Sequence, residues 1–194
     1  MNRFHRWYCR SERWKRKLRE TILPWALGDA DLGDDILELG PGPGLTTDLL
    51  RGRAPHVTSI EIDARLAASL AIRLRGTNVQ VLQCDATALP LRDASFSGAV
   101  ALTMLHHVRS AELQNHLLTE VRRVLRPGAV FVGSDSASSL IFRMAHLFDT
   151  MVVIDPRTFS ARLRDAGFEE VTVERGNGRF RFAARVPAAA PASP

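Results

Sequence analysis

The chain has 194 residues, 45% of them apolar and 24% charged, with a formal net charge of +5. That size and balance fit one globular domain with a sizeable core and exclude a disordered or collagen-like chain. No stretch reaches about 18 charge-free apolar residues, so neither a membrane span nor a secretion signal is expected. Only two cysteines occur, Cys9 and Cys84, with no CxxC pair and no Cys/His ligand spacing. They argue against a disulfide scaffold and a metal site, and for a reduced, cytoplasmic setting.

The excess of Arg and Lys lies between Arg3 and Arg19. Phe4, Trp7, Trp14, Leu18 and Ile22 sit near helical spacing among these cations, which predicts a basic amphipathic helical segment within residues 1–30. Its apolar side can pack on the domain with the basic side in water. Alternatively, Trp7 or Tyr8 can reach over a bound ligand, or the segment can contact RNA through stacking aromatics and phosphate-pairing arginines.

From Asp34 onward, short apolar runs alternate with helix-period segments, the rhythm of an α/β domain with a mainly parallel sheet spanning 31–186. The first strand, Ile36 to Leu39, ends in Gly40-Pro41-Gly42-Pro43-Gly44, and a helix carrying Leu45, Leu49 and Leu50 should follow. The second strand is Val57 to Ile62, and Asp63 can cap the helix that carries Leu66, Leu70 and Leu74 and ends at Gly76. Val79 to Leu82 and Ser97 to Leu102 read as the third and fourth strands. Ser110 can cap a helix with Leu113, Leu117, Val121 and Val124 on one face. Pro127-Gly128 should stop that helix before a fifth strand, Ala129 to Gly133. A helix over Arg157 to Ala166 precedes two alternating runs, Phe168 to Glu174 and Arg179 to Ala184, joined by Gly176-Asn177-Gly178 as an antiparallel hairpin. Residues 187–194 are Pro/Ala/Ser-rich and expected to be disordered.

A glycine turn that follows a strand and opens a helix lets a ligand approach the backbone closely. Here the spacing is GxGxG, and Pro41 and Pro43 each delete an N–H that a pyrophosphate would want. A ligand whose nearest group is an amino-acid head tolerates that loss better. Glu61 closes the second strand, where a carboxylate can accept from ribose hydroxyls. Asp85 follows the third strand, placed to accept from an exocyclic amine, with the Ala86 N–H available to a ring nitrogen.

Asp35-Ile36-Leu37-Glu38-Leu39-Gly40-Pro41-Gly42-Pro43-Gly44, Ile60-Glu61-Ile62-Asp63 and Cys84-Asp85-Ala86 resemble the class I S-adenosylmethionine-dependent methyltransferases. Ala88-Leu89-Pro90-Leu91-Arg92-Asp93-Ala94-Ser95-Phe96, Met104-Leu105-His106-His107-Val108 and Leu125-Arg126-Pro127-Gly128 are similar to the small-molecule, type 11-like branch. The resemblance implies a Rossmann-like three-layer sandwich with a seven-stranded sheet of order 3-2-1-4-5-7-6, strand 7 antiparallel. It implies S-adenosyl-L-methionine as cofactor and S-adenosyl-L-homocysteine as product. Glu38 with Gly40, Gly42 and Gly44 would hold the methionine part. Glu61 and Ile62 would meet the ribose, Asp85 and Ala86 the adenine, and the Thr103 backbone would flank the methyl group.

His106 and His107 follow the fourth strand at the cofactor's edge and are the candidates for a general base. The segment Ser136 to Ile154 lies where this family places substrate-covering insertions. Met144 and Phe148 give it an apolar lining, and His146 with Asp149 can share a helix face. Trp7, Tyr8, Met144, His146 and Phe148 are therefore the expected acceptor contacts, and the expected acceptor is a small, partly apolar molecule. Two other functions compete. Glu38 to Thr47 with Ile60 to Asp63 also resembles the rRNA adenine dimethylases, but the Asn-Leu-Pro-Tyr type of motif is replaced here by Thr103-Met104-Leu105-His106. A non-catalytic S-adenosylmethionine-binding partner protein is the other. A nicotinamide dehydrogenase is disfavoured by the glycine spacing and the prolines. Neither oligomeric state nor the methylated atom is legible.

Overall fold

The structure, a computed structural model, describes residues 11–136, 151–176 and 178–189. Its elements are α1 (Glu12–Lys17), a π-helical turn (Leu18–Ile22), α2 (Leu23–Leu27), β1 (Asp35–Leu39), α3 (Leu45–Leu50), β2 (His56–Glu61), α4 (Ala64–Arg73) and β3 (Val79–Gln83). They continue with β4 (Phe96–Leu102), a 3-10 turn (Leu105–His107), α5 (Ala111–Val124), β5 (Leu125–Ser136), α6 (Pro156–Asp165), β6 (Glu169–Gly176) and β7 (Arg179–Arg185).

The strands form one sheet in the order β3-β2-β1-β4-β5-β7-β6. The first five run parallel, while β7 runs antiparallel to both β5 and β6. This is the Rossmann-like order that the motif resemblance implied. β1 pairs with β2 on one side and β4 on the other, so the strand order reverses beside it. At such a reversal the flanking connections leave toward opposite faces and open a crevice beyond the carboxyl ends.

Helices cover both faces, because a parallel sheet must bury both. On one face Leu37, Leu39, Ala99 and Phe131 pack under Leu117 and Val121 of α5 and Phe159 and Leu163 of α6. Phe131, Phe159, Phe180 and Phe182 meet there edge-on, with ring centroids 4.9 Å apart for Phe131–Phe182 and 5.1 Å for Phe159–Phe182. Each such buried ring contributes roughly 2–3 kcal/mol through area alone. On the other face Ile36, Val57, Val100 and Val132 pack under Leu50 and the N-terminal helix, which supplies Leu18, Ile22, Leu23, Ala26 and Leu27. That helix packs its apolar side on the domain, with Arg13, Arg16, Lys17 and Arg19 exposed.

Two local features depart from the expected pattern. The N-terminal helix runs through Pro24, which lacks the N–H that a continuous α-helix would use. The wider π turn precedes it, with the Leu23 N–H donating five residues back to Leu18 O. β5 extends to Ser136, three residues past the expected end at Gly133. Its polar end, Ser134-Asp135-Ser136, carries no apolar signal but finds ladder partners in Phe180, Arg179 and Arg181 of β7. Among the described residues, no helix is long and apolar enough to cross a membrane.

Candidate active site

The site grows from the carboxyl end of β1. Glu38 lies in the central strand with only 2% of its surface exposed. Its Oε2 accepts from Thr47 Oγ1 of α3 at 2.6 Å and from Ser59 Oγ of β2 at 2.7 Å. Its Oε1 is buried and accepts no hydrogen bond among the described residues. Such a group costs on the order of 1–3 kcal/mol unless a ligand completes it. Burial pushes the Glu38 pKa up to about 7, against the two hydroxyl bonds, and the negative charges of Asp48 and Glu61 add to the rise.

The glycine turn has three positive φ angles, at Gly40, Gly42 and Gly44. A Cβ on Gly40 would stand 2.7 Å from Met104 Cβ, so this glycine permits β1 and the loop after β4 to close on each other. A Cβ on Gly42 would meet nothing within 4 Å, so this glycine faces open space. Arg73 of α4 braces the far end of the turn. Its guanidinium donates to Pro43 O at 3.3 Å and Gly44 O at 3.2 Å while pairing with Asp48 at 2.8 Å.

All three glycine N–H groups are spent inside the protein. Gly40 donates to Ile60 O at 2.9 Å, Gly42 to Glu61 Oε2 at 3.0 Å, and Gly44 to Pro41 O at 2.9 Å. With Pro41 and Pro43 supplying none, the turn has no N–H left for a phosphate. Its unmet need is a donor for Glu38. That polarity suits an ammonium group and opposes a pyrophosphate, which sharpens the case against a dinucleotide.

Glu61 ends β2, 6% exposed, and its Oε1 also accepts from the Asp63 N–H at 2.9 Å. Each carboxylate oxygen keeps a second lone pair for a hydroxyl. Ile62, beside it, is 62% exposed, an apolar face fit for a nucleoside. Asp85 lies past β3, exposed, and its Oδ1 accepts from Thr87 N at 2.9 Å and Thr87 Oγ1 at 2.8 Å. Ala86 is half-buried next to it. Glu38, the glycine turn, Glu61, Ile62, Asp85 and Ala86 therefore share one end of the sheet.

Thr103 follows β4 with a φ of 58°, a left-handed conformation that costs a branched side chain about 1–2 kcal/mol. Two bonds hold it there. Its N–H donates to Ser134 O at 2.8 Å, and its hydroxyl accepts from Arg179 Nη2 at 2.9 Å. The two histidines, equivalent in the sequence, are distinct in the fold. His106 has no exposed surface, whereas His107 is half-buried and lies against it, ring centroids 4.1 Å apart. His106 Nδ1 is 2.6 Å from Asp135 Oδ1, and its backbone N–H donates to Asp135 Oδ2 at 3.2 Å. Burial works against the Asp135 carboxylate, but the charge and hydrogen bond of His106, the Ser136 N–H and the charge of Arg179 hold it below the usual range.

Asp135 and Arg179 are the functional candidates that sequence reasoning missed. An acid at the carboxyl end of a parallel strand was a usable signal for Asp135, but it lay outside the expected end of β5. Arg179 sits on an antiparallel strand whose register nothing local announces. Trp7, Tyr8, Met144, His146 and Phe148 lie outside the described residues.

Comparison with known proteins finds methyltransferases with different acceptors, RNA among them: an rRNA adenine N-6-methyltransferase of Saccharopolyspora erythraea is 53% identical over 51 residues, 26% of this chain and 13% of that protein. Residues 37–133 match the model of a family described as a methyltransferase domain. A probable S-adenosylmethionine-dependent methyltransferase of Mycolicibacterium smegmatis is 34% identical over 116 residues, 60% of this chain and 43% of that protein. An O-methyltransferase of Penicillium expansum is 30% identical over 153 residues, 73% of this chain and 54% of that protein. The chain thus spans about half the length of these two relatives. A crystal structure of the PH0226 protein from Pyrococcus horikoshii superimposes with a TM-score of 0.77 at 18% identity, covering 92% of this chain and 94% of that one.

Proposed function

The chain belongs to the class I S-adenosylmethionine-dependent methyltransferases, and from that premise we propose that it methylates a small molecule whose reacting end is polar. The observation that carries the cofactor site is the buried, uncompleted Oε1 of Glu38 beside a turn with no spare N–H. When bound, S-adenosylmethionine supplies a methyl group activated by its sulfonium. Glu38 and the turn at Gly40, Gly42 and Gly44 take the amino-acid end. Glu61 and Ile62 take the ribose, Asp85 and Ala86 the adenine, and the backbone of Thr103 borders the methyl group.

The acceptor side is built from the ends of β4, β5 and β7. Thr103, Ser134, Asp135, Ser136, His106 and Arg179 make it polar and charged among the described residues. The protein's task there is alignment and, for an acceptor that arrives protonated, proton removal. His106 and His107 are the candidates for it among the described residues. An O-methyltransferase among the relatives suits a hydroxyl-bearing small molecule, and Thr103-Met104-Leu105-His106 in place of an Asn-Leu-Pro-Tyr type of motif argues against adenine methylation in RNA. A reducing compartment suits the free thiol of Cys84 beside the adenine position.

The test has two parts. Isothermal titration with S-adenosylhomocysteine against NAD should detect only the former. Radiolabelled methyl transfer into a small-molecule extract, followed by mass identification, should then yield a methylated product. Tight NAD binding, or label passing only into RNA, would overturn the reading.

A further inference from the structure

We propose that Arg73, the last residue of α4, is a positioning residue for cofactor binding: it ties the glycine turn and α3 to α4, and so fixes the spacing between the amino-acid end and the ribose end of the pocket. This inference rests on the placement of S-adenosylmethionine at Glu38, the glycine turn and Glu61 proposed above.

The two ends of the pocket belong to different stretches of chain. Glu38, the turn and α3 come from the first strand–helix unit, and Glu61 and α4 come from the second. One bond joins the units at the strand ends, from the Gly42 N–H to Glu61 Oε2 at 3.0 Å. A second set joins them through Arg73. Its Nη2 donates to Pro43 O at 3.3 Å and to Gly44 O at 3.2 Å, and its Nη1 donates to both carboxylate oxygens of Asp48 at 2.8 Å. Gly44 O also accepts from the Asp48 N–H at 3.1 Å, so the guanidinium holds the first turn of α3 together with the loop. A Cβ on Gly44 would run into Arg73 Nη2 and Leu70 Cδ1. This third glycine therefore makes room for α4, whereas Gly42 faces open space. Beside the clamp a cleft of about 320 Å³, lined by Gly42, Pro43, Leu66, Ser69 and Arg73 among others, parts the turn from α4, and Arg73 bridges the two.

The physical need for such a tether lies in the turn itself. Five residues, Gly40 to Gly44, separate β1 from α3, and three of them are glycines at positive φ. Glycine permits these angles without enforcing them, so a turn held by nothing outside itself would have to be ordered by the ligand, at the expense of affinity. A guanidinium supplies that order in advance. Its planar fork reaches two carbonyls and a carboxylate together, where an ammonium offers one point charge. The Arg73–Asp48 pair is partly exposed, so as an ion pair it adds little to global stability. Its weight falls on the shape of the turn. Arg51 provides the internal contrast. It brings the same charge to the same carboxylate, 3.7 Å from Asp48 Oδ1, and among the described residues its guanidinium donates nothing to Pro43 or Gly44.

Titration calorimetry with S-adenosylhomocysteine decides it. Arg73→Ala should bind about tenfold more weakly than wild type, and Arg73→Lys about fivefold, since an ammonium keeps Asp48 but cannot fork to both carbonyls. Arg51→Ala, which takes the same charge from beside Asp48, should bind within about twofold of wild type. With an acceptor identified from the extract, Arg73→Ala should raise the KM for S-adenosylmethionine about tenfold and leave kcat within about twofold, because the loss is in binding and not in methyl transfer. Wild-type affinity in both Arg73 variants, an equal loss in Arg51→Ala, or a fall in kcat with KM unchanged would each overturn the proposal. If Arg73→Ala does not fold, Arg73→Lys measured against Arg51→Ala decides by itself. A wild-type protein that binds no S-adenosylhomocysteine would instead bring down the placement of the cofactor, and the proposal with it.

Discussion

Gly42 and Glu61 are joined by a hydrogen bond of 3.0 Å between the glycine's N–H and the carboxylate's Oε2, so the turn after β1 is seated on the end of β2. The carboxylate that a ribose would use also organises the loop that would take the methionine end. Replacing Glu61 with Ala should therefore act twice, removing charge-assisted contacts to the ligand and loosening the turn. The affinity for S-adenosylhomocysteine should fall by about 1–3 kcal/mol. Titration calorimetry checks this, and an unaltered dissociation constant would remove Glu61 from the site.

Glu38 sets a pH dependence. Its folded pKa of about 7 lies above its ordinary 4.5, so between these values the folded state holds a proton that the unfolded chain has lost. Its contribution to stability is therefore full below about 4.5, declines as pH rises, and is spent above 7, a change of roughly 3 kcal/mol. Glu38→Gln should raise the melting temperature of the ligand-free protein at pH 8 relative to wild type, with little difference at pH 5. A melting curve that ranks the two alike at both pH values would contradict the buried carboxyl.

The same group links protons to the ligand. An ammonium favours the ionised carboxylate, so the affinity for S-adenosylhomocysteine should climb as pH rises to about 7 and level above it. Calorimetry at pH 6 in buffers of different ionisation heat should register proton release on binding. Glu38→Gln should abolish that release.

Two glycines of one turn should respond differently to the same substitution. Gly40→Ala drives a methyl into Met104 at a φ of 63° and should cost about 2–3 kcal/mol of stability. Gly42→Ala adds a methyl into open space at a φ of 54°, and should cost only about 1 kcal/mol of stability. Its larger effect should be on cofactor affinity, since the methyl enters the space facing the turn. Denaturant midpoints and titrations measured side by side would show whether stability and binding separate in this way.

Arg123 of α5 pins the irregular stretch between β3 and β4. It donates to Leu89 O at 2.9 Å, Leu91 O at 2.8 Å and Asp93 Oδ1 at 2.6 Å, and pairs with Glu120. The planar fork reaches all of these at once, which a lysine cannot do. Both Arg123→Lys and Arg123→Ala should destabilise, the latter by about 1–3 kcal/mol, and equal urea midpoints for all three proteins would rule out the clamp.

What the residues dictated by themselves was local in origin. The period-2 and period-3.6 patterns gave the strands and helices of the sheet, the caps at Asp63 and Ser110, and the glycine turn after β1. Glu61 and Asp85 could be placed because both stand directly at strand ends, where position along the chain alone fixes the end of the sheet they occupy. The tertiary structure decided everything that depends on register between distant segments. It left one oxygen of Glu38 unsatisfied while Thr47 and Ser59 completed the other. It spent the Gly42 N–H on Glu61, extended β5 along β7, and distinguished His106 from its neighbour by bringing Asp135, twenty-nine residues away, to its ring. Pairing of that kind is set by the summed packing of two sheet faces, which no single stretch of sequence contains.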